Sequence, residues 1–256
     1  MTYRYVAIGD SQSEGVGDTP WPDGMPRGWA DRLAGLLAAR VGDLDYANLA
    51  VRGLKAAQIR DTQLEPALRL GPDLVTITAG VNDLLRPKLD LAALRDALDE
   101  LIAAPRARNA AVIVVPAPDI AGLMPIGGLV APRVAQFNEL LAGLAERHGA
   151  ACPPVPAPSV FSDVRSWSPD RLHLSPAGHD RLARAAMHAL YPDAEADWNQ
   201  PWPTPAPPRT FTGDLRWWWT FGRPWLVRRV RGRSSADGRY AKRPELGRYE
   251  PRTVEP

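Results

Sequence analysis

Cysteine is almost missing. The 256 residues include one, Cys152, so no disulfide can form within the chain, and nothing asks for an oxidising compartment. Histidine is scarce too: His148, His173, His179 and His188 stand without ligand-like companions, which leaves no recognisable metal cluster. No cofactor motif is present. No apolar run approaches the length of a membrane span. The first strand is expected from residue 3, without a preceding signal peptide. No internal repeat is visible. These absences lead to the expectation of a cytoplasmic chain with neither metal nor cofactor.

What is present suits a globular domain. Hydrophobic residues make up 45% and charged residues 23%, enough for a core that holds without disulfides. The net charge of +2 hides an asymmetry. Residues 1–192 carry 19 Lys and Arg against 21 Asp and Glu, and residues 193–256 carry 12 against 8. Six of the nine tryptophans also lie after Pro192. The shift predicts a boundary there, with a domain over 1–192 and a distinct tail over 193–256.

Tyr3 to Gly9 reads as a buried strand that stops at a turn residue. Ser11 follows at once, at the carboxyl end, where open α/β sheets bind ligands. By itself Ser11 reads more readily as a helix or turn cap. A long Gly, Pro and Asp-rich loop with Trp21 follows, and a helix is predicted over 28–41. A strand over 44–49 leads into a loop with Gly53, then a helix over 54–70. The clearest strand, 73–79, runs into GVNDLL and puts Asn82 and Asp83 just past its end. A helix over 91–103, a strand over 112–115 and a helix over 134–147 follow. A fifth strand is predicted near 151–155, demoted to a short edge by its prolines. The last helix spans 175–190, with Ser175 as N-cap and Pro176 at its first position. Strands alternating with helices predict a parallel sheet covered on both faces.

The chemistry-bearing stretch is Trp167-Ser168-Pro169-Asp170-Arg171-Leu172-His173. Asp170 and His173 lie three apart, so one turn of chain brings them side by side. A carboxylate there fixes the imidazole tautomer and frees the other nitrogen as a base. A serine nucleophile needs such a base. In a parallel sheet this loop opens on the same edge as Ser11.

Ser11 after the first strand, Gly53 after the second, Asn82 in G-x-N-D after the third, and Asp170-x-x-His173 before the last helix together resemble the GDSL/SGNH hydrolase family of esterases and acyl hydrolases. The resemblance covers about residues 3–190. It implies a flavodoxin-like three-layer α/β/α fold with five parallel strands. It implies Ser11 as nucleophile, His173 as base and Asp170 as its orienter. The backbone N–H groups of Ser11 and Gly53 and the Asn82 amide would form the oxyanion hole. Gln12 departs from the Leu common in the GDSL tetrapeptide, a change that alters the pocket wall rather than the chemistry. The expected activity is hydrolysis of a small ester, with short acyl chains as the default. Alternatives are a carbohydrate O-deacetylase or thioesterase using the same chemistry, or a binding module that no longer turns over. Asp10 and Asp83 read as loop braces, His179 as a packing residue and Cys152 as a small hydrophobe.

The tail begins with a Pro-rich spacer. Leu215, Trp218, Trp219, Gly222, Leu226 and Val230 then share one helical stripe among arginines, and Pro224 is expected to break the helix in two. Residues after Arg233 are expected to be disordered or merely draped on the domain. The basic aromatic segment 213–233 either packs back on the domain or contacts an anionic membrane. Nucleic acid is not expected, because no recognition module accompanies the arginines.

Overall fold

The computed structural model describes residues 2–118, 122–123, 127–154, 159–231 and 234–251. β1 (Tyr3–Gly9) is followed by the four-residue α1 (Ser11–Glu14) and by α2 (Trp29–Val41). β2 (Leu44–Asn48) leads to α3 (Ala56–Ile59), which continues through a π-helical turn (Arg60–Leu64) into α4 (Glu65–Arg69). β3 (Leu74–Thr78), α5 (Val81–Leu84), α6 (Leu91–Ala107) and β4 (Ala111–Val114) come next. α7 (Gly127–His148) and α8 (Pro176–Leu190) complete the expected helices.

The sheet runs in the order β4-β3-β1-β2-β5, with the first four strands parallel. β1 sits at its centre, and its side chains alternate between two cores. Val6 and Ile8 pack with α3, α4, α6 and α7, whereas Tyr5 and Ala7 pack with α2 and α8. The result is three layers, as expected. The chain leaves β1 for β2 on one side and returns to β3 on the other. The carboxyl end of β1 is therefore the topological switch point, where a crevice opens.

The fifth strand differs from expectation. Near Ala151 only a single parallel bridge to Ile113 forms. Pro153 and Pro154 follow it, and prolines cannot donate to a ladder. Val155 lies outside the described residues. The fifth strand is instead β5 (Arg243–Arg248), antiparallel on β2, with Asp45 opposite Arg248 and Asn48 opposite Arg243. The sheet is thus five-stranded but only mostly parallel. The segment expected to be disordered or merely draped supplies the edge.

Low apolar content misled there because pairing, not burial, holds β5. Its anchor is ionic. Lys242 Nζ lies 2.5 Å from Asp31 Oδ2, and both side chains are buried. Burial raises the Asp31 pKa, and Lys242 acts against that rise. The Tyr249 ring meets Tyr46 edge-on at 6.3 Å. Removing the cation strands a buried carboxylate, which typically costs about 3–5 kcal/mol. Lys242→Ala is therefore expected to destabilise the protein by about 3 kcal/mol in urea unfolding, with partial recovery in Lys242→Ala/Asp31→Asn. A loss within the ordinary surface range would show that β5 is not docked this way.

In the tail, Trp198 is buried and stacks on Phe161, with ring centroids 6.3 Å apart. α9 (Phe211–Trp217) passes through a π-helical turn (Trp218–Gly222) into α10 (Arg223–Val230). Pro224 does not split the helix. The π turn directly before it absorbs the missing N–H, as such bulges commonly do. Arg233 lies outside the described residues. Among the described residues no helix is long and apolar enough to cross a membrane.

Candidate active site

Each sequence-predicted residue sits on a loop or a short helix at the carboxyl edge of the sheet. Asp10 N-caps α1, its carboxylate accepting from Gln12 N at 3.1 Å, and this puts Ser11 at the first helical position. Ser11 is half-buried, and its hydroxyl makes no hydrogen bond among the described residues. Gly53 has φ +82°, a conformation that favours glycine, and the tail hydroxyl of Ser235 presses against the space a Cβ would fill. Glu14 ties this loop to α1. Its carboxylate accepts from Arg52 N at 2.7 Å and from Arg52 Nε and Nη2 at 2.8 and 2.6 Å.

Asn82 lies in α5, just past β3. Its Nδ2 donates to Leu54 O at 3.1 Å and to Asp10 Oδ2 at 3.3 Å. Burial raises the Asp10 pKa to about 6, against hydrogen bonds from Gln12 and Thr78 and the nearby His173. Asp83 braces a neighbouring element, accepting from Ala56 N at 3.0 Å. Both aspartates act as loop braces, as their positions suggest.

The Asp170–His173 pair is formed. His173 Nδ1 lies 2.6 Å from Asp170 Oδ2. The other carboxylate oxygen accepts from Ser168 Oγ, Leu172 N and His173 N at 2.7, 2.9 and 3.0 Å. Burial favours the neutral acid, but these bonds and the adjacent imidazole outweigh it and hold the carboxyl well below the usual range. Asp170 is therefore an anion that accepts only, so the imidazole keeps its proton on Nδ1 and presents Nε2 free.

Ser11, Gly53, Asn82 and His173 line one pocket. Ser11 and His173 share no direct hydrogen bond, and such contacts commonly tighten only when substrate binds. Beside this pocket lies an apolar one whose walls include Val115, Val134, Phe161, Trp167, Leu174 and Leu182. Gln12 borders both.

Several contributors escaped the sequence reading. Gln12 donates from Nε2 to Leu172 O at 3.0 Å and accepts from Leu174 N at 3.5 Å. It thus grips the chain on both sides of His173 and links the base loop to the residue after Ser11. Only its departure from the family's Leu marked it out. Gln63 clasps Gly9 at both its N–H and its carbonyl, at 2.7 and 2.9 Å. The tail contributes most. Trp217 Nε1 donates to Asp170 O at 2.8 Å, and Arg171 pairs with Asp214 at 2.6 Å. Trp225, Arg228 and Ser235 line the pocket that holds Ser11 and His173. The inward face of the tail helix is therefore Trp217, Phe221 and Trp225, not the stripe of Leu215, Trp218, Trp219 and Leu226, which points outward.

The remaining candidates are structural. His179 is buried. Its Nδ1 accepts from Trp29 N at 3.1 Å and its Nε2 lies 3.1 Å from Val16 O. Burial lowers its pKa to about 4, so it is neutral. Burial pushes the Cys152 thiol up to about 11, the opposite of an activated nucleophile. Trp21 is buried with the Arg27 guanidinium 4.8 Å from its ring centroid. No cluster of His, Cys, Asp and Glu able to hold a metal occurs among the described residues.

Comparison with known proteins bears on the fold and the family. Among solved structures, the acetyl xylan esterase Axe2 of Geobacillus stearothermophilus is similar at 21% identity. The match covers 74% of this chain and 94% of that one, with a TM-score of 0.62. A GDSL-like lipase of Parabacteroides merdae, described as putative, matches at 20% identity over 73% of this chain and 94% of that one, TM-score 0.63. TesA matches at 23% over 74% and 98%, TM-score 0.58. These likenesses establish the shared fold. No curated protein matches the chain. The model of the GDSL-like lipase/acylhydrolase family matches residues 7–181, and with that match the chain belongs to the GDSL-like lipase/acylhydrolase family of ester hydrolases.

Proposed function

We propose that the protein is a serine esterase acting on small esters through Ser11, His173 and Asp170. The observation that carries this reading is one pocket lined by Ser11 and His173, with a half-buried anionic carboxylate on the far nitrogen of the imidazole. Ser11 Oγ attacks the ester carbonyl while His173 Nε2 takes its proton. The tetrahedral oxyanion is held by the N–H groups of Ser11 and Gly53 and by Asn82 Nδ2. Collapse expels the alcohol, which takes the proton from His173. Water, deprotonated by the same nitrogen, then cleaves the acyl-enzyme and regenerates Ser11.

Asn82 needs one small change for its part. Its longer hydrogen bond, 3.3 Å to Asp10, is the one to exchange for the oxyanion, while the bond to Leu54 O keeps the amide in place. Asn82→Ala should therefore lower turnover by about 10²–10³ with KM little changed, the usual effect of losing one oxyanion donor. Steady-state kinetics on a nitrophenyl ester checks it. A raised KM at constant turnover would make Asn82 a ground-state contact instead.

The apolar pocket beside Ser11 is the natural site for the acyl group, and short chains are the expected substrates. A sugar O-acetyl group or a thioester would pass through the same steps. A panel of nitrophenyl esters of increasing chain length tests this, with kcat/KM greatest at the short end. A maximum at long chains would reassign the pocket. Residues 1–192 make up the hydrolase domain in this reading, with 193–256 appended to it. A single cysteine, which cannot form a disulfide within the chain, suits a cytoplasmic setting.

A further inference from the structure

The tail helix has two unlike faces. One packs inward through the buried Trp217 and the half-buried Phe221 and Trp225, which wall a pocket bounded by Asp170 and His173, and Trp225 also lines the pocket that holds Ser11. The other is bare. Among the described residues nine large hydrophobic side chains are exposed, and six of them fall between Phe211 and Val227. Phe211 is 81% exposed, Trp219 58%, Leu215 49% and Leu226 43%. Scattered exposed apolar residues need no explanation, but a contiguous apolar face does.

Its charges name the partner. Residues 209–231 contain six arginines and one acidic residue, Asp214. Asp214 is already taken, paired with Arg171 and Arg209. Arg216, Arg223 and Arg231 are exposed, without an acidic partner among the described residues, whereas Arg228 borders the pocket that holds Ser11 and His173. The Arg223 guanidinium lies 5.4 Å from the Trp219 ring centroid, at the edge of the apolar face. Aromatic and aliphatic groups bordered by unneutralised arginines match a surface with an apolar interior and anionic headgroups. A second protein copy would have to oppose the same arginines with themselves.

We propose that the outer face of the tail helix, centred on Phe211, Leu215, Trp218 and Trp219, docks on an anionic lipid surface. Packing onto the hydrolase domain and contact with a membrane are thus not rivals. The two faces of one helix do one each.

The test uses the full chain and co-sedimentation with vesicles of phosphatidylcholine alone or mixed with phosphatidylglycerol. The expected result is binding to the mixed vesicles at least about tenfold tighter than to phosphatidylcholine alone, weakened as salt screens the arginines. Phe211→Ser/Trp219→Ser should reduce that binding by about tenfold or more. Both side chains are exposed, so the fold should survive, which circular dichroism and esterase turnover report separately. Arg216→Gln/Arg223→Gln should weaken binding to the mixed vesicles and abolish its salt dependence in large part. Failure to bind mixed vesicles, or binding that both double variants leave unchanged, would overturn the proposal. So would a dimer in light scattering that Phe211→Ser/Trp219→Ser dissociates, since a second copy would then cover the face.

Discussion

Ser11→Ala should lower esterase turnover by about 10⁴-fold or more while the unfolding free energy moves by less than about 0.5 kcal/mol. The two halves of that expectation have separate causes. The Ser11 hydroxyl makes no hydrogen bond among the described residues and contributes no large apolar group to either core, so its loss costs the fold little. Under the proposed mechanism the chemistry loses its nucleophile outright. What remains is rate enhancement from the oxyanion donors and from binding, which survives loss of a triad member. Single-turnover kinetics and urea unfolding on one preparation check both halves. Substantial turnover in the variant would remove Ser11 from the mechanism.

Asp170→Asn should be nearly as damaging, lowering turnover by about 10³–10⁴-fold, although it deletes only a charge. The surroundings of Asp170 dictate why. One carboxylate oxygen already accepts three hydrogen bonds, from Ser168, Leu172 and His173 N. An amide N–H₂ cannot sit there, because it would face three donors. The asparagine oxygen must take that position, and its N–H₂ must then face His173 Nδ1. That nitrogen becomes an acceptor, so the imidazole proton moves to Nε2 and the base is lost. Asp170→Ala should do less harm, since water can enter and accept from Nδ1. The ratio of the two variants is the measurement. If Asp170→Asn retained more activity than Asp170→Ala, the tautomer argument would be wrong.

The fold and the site were legible in the sequence to different depths. β1, β3 and β4 could be read because each has a short, largely apolar run bounded by Gly or Pro, and β1 stops at Gly9 as its sequence suggests. The pairing of Asp170 with His173 could be read because it is local, three residues apart. The grip of Gln12 on the base loop spans 160 residues, and no periodicity reports a contact of that kind. β5 was missed because Arg243–Arg248 carries little apolar content; an edge strand can be held by backbone pairing and one buried ion pair. The tail stripe was found with its direction left open. Periodicity identifies a face, but when both faces of a helix carry Trp, hydrophobicity alone cannot say which one turns inward.

The central claim is that Ser11 is an activated nucleophile. Its most direct measurement is covalent labelling with a fluorophosphonate, followed by mass mapping of the modified peptide. The account predicts one adduct per chain, on Ser11, formed rapidly in the native protein and suppressed in His173→Ala, which keeps the serine but lacks its base. Esterase activity that persists with Ser11 unlabelled, or an adduct on any other residue, would contradict it.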